Sequence, residues 1–324
     1  MIRRSSLGLF LALLSSCGSD RIGGGTTETG NMASALVFRV DSLLPTWNRP
    51  SEGTTIATLR LGASDLDFSR TSPDGRDLGV ESTDGTALAF RVVFWDRAAS
   101  LGRLQVRLGP ELLVPGSRIV LRWGLGDSVR SDSAKVWQAI PDSQRLALTS
   151  VLVSDFEDSS LVSRLPNAAS WLATAADSAT ITTPRIVAAG QERQGKAAYV
   201  RYTTPQTQGY AFMGLPLSGT RHNLRSLDSI VLWARGDSTS LRISLEYRSG
   251  TKVPKAWTAR VLDSGWTRLA IRPADFDAAN GAGGNVGWLG VRDSVENLSL
   301  FVSKGHEMWV DDIRLYGIDR EDLR

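Results

Sequence analysis

Trp309 to Gly317 reads WVDDIRLYG. A strand places residues two apart on one face, so Asp311 shares a side with Ile313 and Leu315, and Asp312 faces the other way with Arg314. That puts a carboxylate where a core would claim the space. An ionised carboxylate taken out of water costs several kcal/mol unless it is paired, hydrogen-bonded or coordinated. A second acidic cluster, SDFED at Ser154 to Asp158, opens the same half of the chain. The two ends of one domain are therefore expected to meet, with a cation between them.

Between these ends the sequence alternates in short bursts. Strands are expected at 179–187, 197–203, 210–217, 229–234, 241–247, 257–262, 267–272, 298–303 and 308–316. So many short strands with so little helix need two facing sheets to bury their inner sides. The Gly- and Asn-rich stretch 275–290 reads as a long loop.

The preceding region, residues 35–150, shows the same half-buried antiparallel signal. Leu88, Phe90, Val92 and Phe94 share one parity; so do Leu104, Val106 and Leu108; so do Ile119, Leu121 and Trp123, with Arg118 and Arg122 opposite. Turns are marked by Pro73-Asp74-Gly75, Asp84-Gly85 and Pro115-Gly116, and one turn of helix is expected around Ser133 to Ala139. The fold class is all-β, with two β-sandwich domains at 35–150 and 151–318 and a tail at 319–324.

The chain begins MIRRSSLGLFLALLSSC: two arginines, an apolar run too short to span a bilayer, then small residues before the single cysteine. This is a signal peptide pattern over 1–17, and Leu14-Ser15-Ser16-Cys17 resembles a bacterial lipobox, which implies acylation of Cys17 after cleavage. Two or three acyl chains anchor a protein stably where one is marginal. Gly18 in place of an aspartate favours the outer membrane in a host with two. An ordinary secreted protein with a stray thiol is the alternative. Residues 18–34 are a Gly- and Thr-rich tether. With one cysteine in 324 residues, no intramolecular disulfide supports either domain.

Two resemblances follow from spaced motifs. The succession LDFSRTSPDGRDLGVESTDGTALAFRVVFWD, then LGRLQVRLGPELLVPGSRIVLRWG, then Trp137, resembles the bacterial extracellular domain DUF2341 over Asp65 to Ala139, a domain of unknown function found beside carbohydrate-related modules. In the second half, DFED at Asp155, KAAYVRYT at Lys196, QGYAFMGLPL at Gln208, LDSIVLWARGD at Leu227, SGWTRLAIRPADF at Ser264, LSLFVS at Leu298 and WVDDIRLYG at Trp309 resemble the galactose-binding-like jelly roll of family 11 carbohydrate-binding modules and the related CIA30 proteins.

The second resemblance implies a jelly roll, and in such folds a structural calcium joins the first and last strands. Calcium takes six to eight oxygens, and Asp155, Glu157 and Asp311 stand at the matching positions. The alternative is that Asp311 caps backbone amides or pairs with an arginine while Asp155 and Glu157 stay solvated. The resemblance also implies a glycan partner. Sugar rings stack on aromatic faces and bond to nearby polar groups, which singles out Tyr210, Tyr247, Trp257 and Trp171, with Arg248 or Arg201 as donors. Where family 11 modules carry an aromatic on the penultimate strand, this chain has Val302. Trp233, Trp266 and Trp309 are assigned to packing.

Catalysis is poorly supplied. His222 and His306 are the only histidines and neither stands in a triad pattern. No phosphate loop or zinc spacing is present, and a net charge of +3 with scattered basic residues excludes a nucleic-acid binder. The expected role is a lipid-anchored, non-enzymatic glycan binder at the cell envelope. A structural or assembly role, in which the jelly roll binds another protein, is the alternative.

Overall fold

The computed structural model describes residues 14–15, 34–40, 55–114, 116–125, 132–138, 140, 145–146, 149–205, 210–217, 220–277 and 284–323. Cys17, expected to be acylated, and most of the expected tether lie outside them. The chain is almost entirely β and divides into two compact units, Met1–Arg145 and Leu146–Arg324.

In the first unit, β1 (Leu14–Ser15), β2 (Ser34–Val40), β4 (Gly79–Ser82) and β7 (Arg118–Trp123) form one antiparallel sheet in the order β1-β2-β7-β4. Its partner sheet is β3 (Thr55–Leu61), β6 (Leu101–Leu108) and β5 (Phe90–Asp96), ordered β3-β6-β5. Leu59, Leu104, Val106, Ile119 and Leu121 from the two sheets make a single core. Asp77 ties the 72–77 turn to the end of β7, accepting Ser72 N at 2.8 Å and Gly124 N at 3.1 Å. The short helix α1 (Ser133–Trp137) starts on an Asp132 cap, and the Arg91 guanidinium lies 5.1 Å above the Trp137 ring.

One expectation in this unit is corrected. The pairing of β5 with β6 shifts between Val92 and Phe94, so the extra residue turns Phe94 outward opposite Arg103 and brings Trp95 inward opposite Gly102. Trp95 packs against the core and meets Phe68 at 4.8 Å. A side chain on residue 102 would meet the Trp95 ring at 2.5 Å, which is why glycine stands there.

The second unit is a jelly roll. One sheet contains β8 (Ser150–Ser154), β10 (Thr180–Ile181), β11 (Arg185–Ala188), β12 (Lys196–Thr203), β14 (Ser229–Gly236), β17 (Thr267–Ile271) and β19 (Glu307–Tyr316), along the path β10-β12-β19-β14-β17. The other runs β16-β15-β18-β13-β9, from β9 (Leu172–Ala176), β13 (Tyr210–Pro216), β15 (Thr239–Glu246), β16 (Lys255–Leu262) and β18 (Asn297–Ser303). From β12 onward the chain passes back and forth between the sheets, and Met213, Leu215, Ile243, Leu300, Val310 and Leu315 fill the space between them. The stretch 179–187 is two short strands separated around Pro184, which has no N–H to give a ladder. Strands β8 and β9 were not expected, and 275–290 contains helical turns, α2 (Pro273–Asp277) reaching into its start and α3 (Gly287–Val291) near its end.

β19 carries a second bulge. Asp312 has φ of 46°, and the register against β14 shifts across it; against β8 the register shifts between Ile313 and Arg314. Met308 and Val310 point into the core before it, Ile313 and Leu315 after it. The parity reading of WVDDIRLYG is therefore corrected. Asp311 does not share the face of Ile313 and Leu315; it lies with Trp309 on the outer face, opposite Trp233.

Candidate functional site

The three carboxylates expected at a cation do not converge. Asp311 is buried on the outer face, where Arg193 Nε donates to its Oδ2 at 2.5 Å and Asp312 N donates to its Oδ1 at 2.7 Å. Burial raises the Asp311 carboxyl above the ordinary carboxylate range, against the pull of Arg193. Asp155 meets Arg164 at 3.3 Å, and Glu157 accepts Lys196 N at 3.0 Å. Calcium needs oxygens from every side, whereas these carboxylates already face guanidinium or N–H donors. Among the described residues no group of three or more His, Cys, Asp or Glu side chains is placed to hold a metal. The residues present do not fit a calcium joint.

The aromatic candidates separate as well. Trp171 is in the core, 2% exposed, its indole N–H donating to Ser154 Oγ at 2.8 Å, so it offers no ring face. Tyr247 follows β15 on the inward parity and packs at the edge of the core under Arg221. Arg201 belongs to the other sheet and is bound to Glu307 at 2.6 Å; Arg248 lies exposed in the turn after β15. Tyr210 and Trp257 are both on the outer face of the five-stranded sheet.

That face has an order which single-residue reading missed. Alternation along β13 sends Ala211, Met213 and Leu215 inward, so Tyr210 and Phe212 face out; in β18 Val302 is inward and Phe301 outward. Phe212 and Phe301 are cross-strand partners, stacked with centroids 4.7 Å apart, and Tyr210 is 6.0 Å from Phe212. Phe301 is in turn opposite Arg242 of β15, whose guanidinium stands 4.4 Å from the Phe301 ring and 5.1 Å from Trp257 of β16. Tyr210, Phe212, Phe301, Arg242 and Trp257 thus form one continuous strip across four adjacent strands. The outward alternation of YAFMGLP and the Phe one place before Val302 were the available signals.

Beside the strip, Gly214 and the buried Ser299 and Ser244 share one row of the sheet between Leu172 and Trp257. Three buried polar atoms here lack a hydrogen-bond partner: Arg242 Nε, Ser244 Oγ and Trp257 Nε1. Native proteins seldom leave such groups unpaired, because each forfeits its hydration without replacement. Glu246, one row further, accepts the Ser299 hydroxyl; burial raises its carboxyl above the usual range, against Ser299, Lys255 and Arg242. His222 is buried with Nδ1 at the Asp322 carbonyl, and His306 is exposed beside Asp237, both in structural contacts.

No protein-family model matches the sequence, and no curated protein matches it. The similar solved structures include carbohydrate-binding modules. The family 11 module of the cellulosomal cellulase Lic26A-Cel5E of Clostridium thermocellum is 19% identical, covering 52% of this chain and 95% of its own, with a TM-score of 0.40. The Clostridium thermocellum family 11 module in complex with a β-1,3-1,4-mixed-linked tetrasaccharide is 18% identical over 52% and 96%, with a TM-score of 0.37. A family 30 carbohydrate-binding module is 14% identical over 52% and 89%, also with a TM-score of 0.37.

Proposed function

We propose that this protein is a non-catalytic glycan-binding protein of the bacterial cell envelope, which holds a polysaccharide across the outer face of its five-stranded sheet. The observation that carries this reading is the strip Tyr210–Phe212–Phe301–Arg242–Trp257 with three unpartnered polar atoms beside it. Sugar rings present apolar C–H faces and a rim of hydroxyls, so they suit a surface offering π-faces and donors side by side. Hydrolysis of a glycosidic bond asks for two carboxyl groups flanking the bond; the strands of this face carry only Glu246, sequestered by Ser299. The anchor belongs to the same reading: acylation of Cys17 would hold the binding unit at the membrane, the outer one by the Gly18 rule, on its own tether.

A glycan array followed by titration with the best saccharide tests it, with the mixed-linked tetrasaccharide included as a probe. Phe301→Ala is expected to weaken binding about tenfold or more, about 1.4 kcal/mol, by breaking the middle of the strip. Binding to no saccharide, together with a co-purifying envelope protein, would replace this reading with an assembly role. A Cys17→Ala variant that still fractionates with membranes would remove the lipid anchor from it.

A further inference from the structure

Resting on that reading, we propose that the polysaccharide is acidic, and that Arg242 receives the carboxylate of a uronic acid unit while the flanking rings carry its neighbours. The argument is one of missing counter-charge. Elsewhere in the two units several partly or fully buried arginines are closed by acids: Arg193 by Asp311 at 2.5 Å, Arg122 by Glu81 at 2.6 Å, Arg260 by Asp275 at 2.7 Å; Arg235, between Trp309 and Trp266 on the other sheet, is an exception. Arg242 is half-buried between Phe301 and Trp257, and among the described residues no carboxylate stands within salt-bridge distance of it and its Nε has no acceptor.

The strands of this face carry four charges: Arg242, Lys255 and Glu246 on the outward parity, and Arg260, which turns the other way to Asp275. Glu246 lies opposite Lys255 in the ladder and is already engaged by Ser299. The turn joining β15 to β16 adds the exposed Arg248 and Lys252, with Glu296 beside Arg248. The face is therefore cationic, and the one carboxylate on its strands is turned to an internal task. A neutral sugar would satisfy Arg242 as a donor and leave its charge to the field of Glu246 alone, with no carboxylate in contact. A carboxylate does both, since a guanidinium offers parallel N–H groups spaced for its two oxygens. The stacking of Arg242 on both rings holds its plane in advance, so little side-chain freedom remains to be lost on binding.

The test uses the purified full chain in native gels containing polygalacturonate, its fully methyl-esterified form, alginate or neutral mixed-linked β-glucan, alongside an array carrying acidic and neutral saccharides. Retardation by a uronate polymer, at least tenfold weaker after esterification or in Arg242→Gln, is expected. Arg242→Lys should retain part of it, and Arg268→Gln, an exposed arginine of the other sheet, should retain all of it. Melting curves identify a variant that fails to fold, and the comparison of acid with ester needs no variant. Equal binding of acid and ester, exclusive binding of neutral saccharides, or equal losses in Arg242→Gln and Arg268→Gln would overturn the proposal and leave glycan binding standing. Binding to no saccharide on gel or array would overturn both.

Discussion

The two outer faces of the second unit are built from the same materials and finished differently. On the seven-stranded sheet, Arg185 stacks on Tyr199, Tyr199 meets Trp309 at 4.8 Å, Arg235 lies between Trp309 and Trp266, and Arg193 lies over Trp233. On the five-stranded sheet, aromatic rings and Arg242 form the strip. The first is closed by its own chain: the loop between β11 and β12 lays Arg193 onto Asp311, the Trp266 indole N–H finds the Ala189 carbonyl at 3.0 Å, and Tyr199 bonds Glu307. Arg235 Nε is the exception there among the described residues. Among the described residues the strip has no such closing contacts, and its donors are left over. An arginine–aromatic array is a packing device when the fold supplies the acceptors and a candidate binding surface when it does not.

The sharpest way to break this contrast is at Asp311. Asp311→Ala should cost about 3 kcal/mol of stability in urea denaturation, because it leaves the Arg193 charge unpaired, with no change in saccharide binding. A loss of binding with stability intact would make the closed face the functional one. Trp257→Phe keeps the ring and removes only the N–H. It is expected to shift stability by less than about 1 kcal/mol and to weaken saccharide binding roughly fivefold; unchanged affinity would mean that the N–H does not meet the ligand.

The smallest effect concerns Glu246. Its folded carboxyl holds a proton to higher pH than in the unfolded chain, so its contribution favours folding below the ordinary carboxylate range and is lost as pH rises through the raised value. Glu246→Gln fixes the neutral form. It should raise stability on the order of 1 kcal/mol near about pH 7, a gain that vanishes near about pH 3. A variant less stable than the parent at neutral pH would mean that Lys255 and Arg242 depend on the charge.

The sheets were legible where alternation is clean, as in LRISLEY or LSLFVS, because inward Leu and Ile recur at every second place. Strand β9, LATAA, has no such contrast: it is an edge strand whose Leu172 is 60% exposed. The bulges at Val93 and Asp312 were invisible for another reason. One inserted residue inverts every later side chain, yet the inserted residue itself carries no distinctive chemistry. That inversion is why an acidic pair read as half core, half surface is wholly on the outside. The site was legible in part. Tyr210 and Trp257 were named from sequence, but their partners Phe212, Phe301 and Arg242 come from three strands whose adjacency only the register of the sheet supplies.

The Asp312 bulge also marks a change of neighbour. Along one edge of β19, residues 307–310 pair with β12 and residues 313–316 pair with β8. Strand β8 is where the chain enters this unit from its N-terminal side, so tension arriving along the backbone loads those last residue pairs first. Strands β13, β15, β16 and β18, which carry the strip, belong to the opposite sheet and share no ladder with β8. A load on the chain and the proposed ligand grip thus run through separate hydrogen-bond networks, and a pull can be borne without shearing the rows that align the rings.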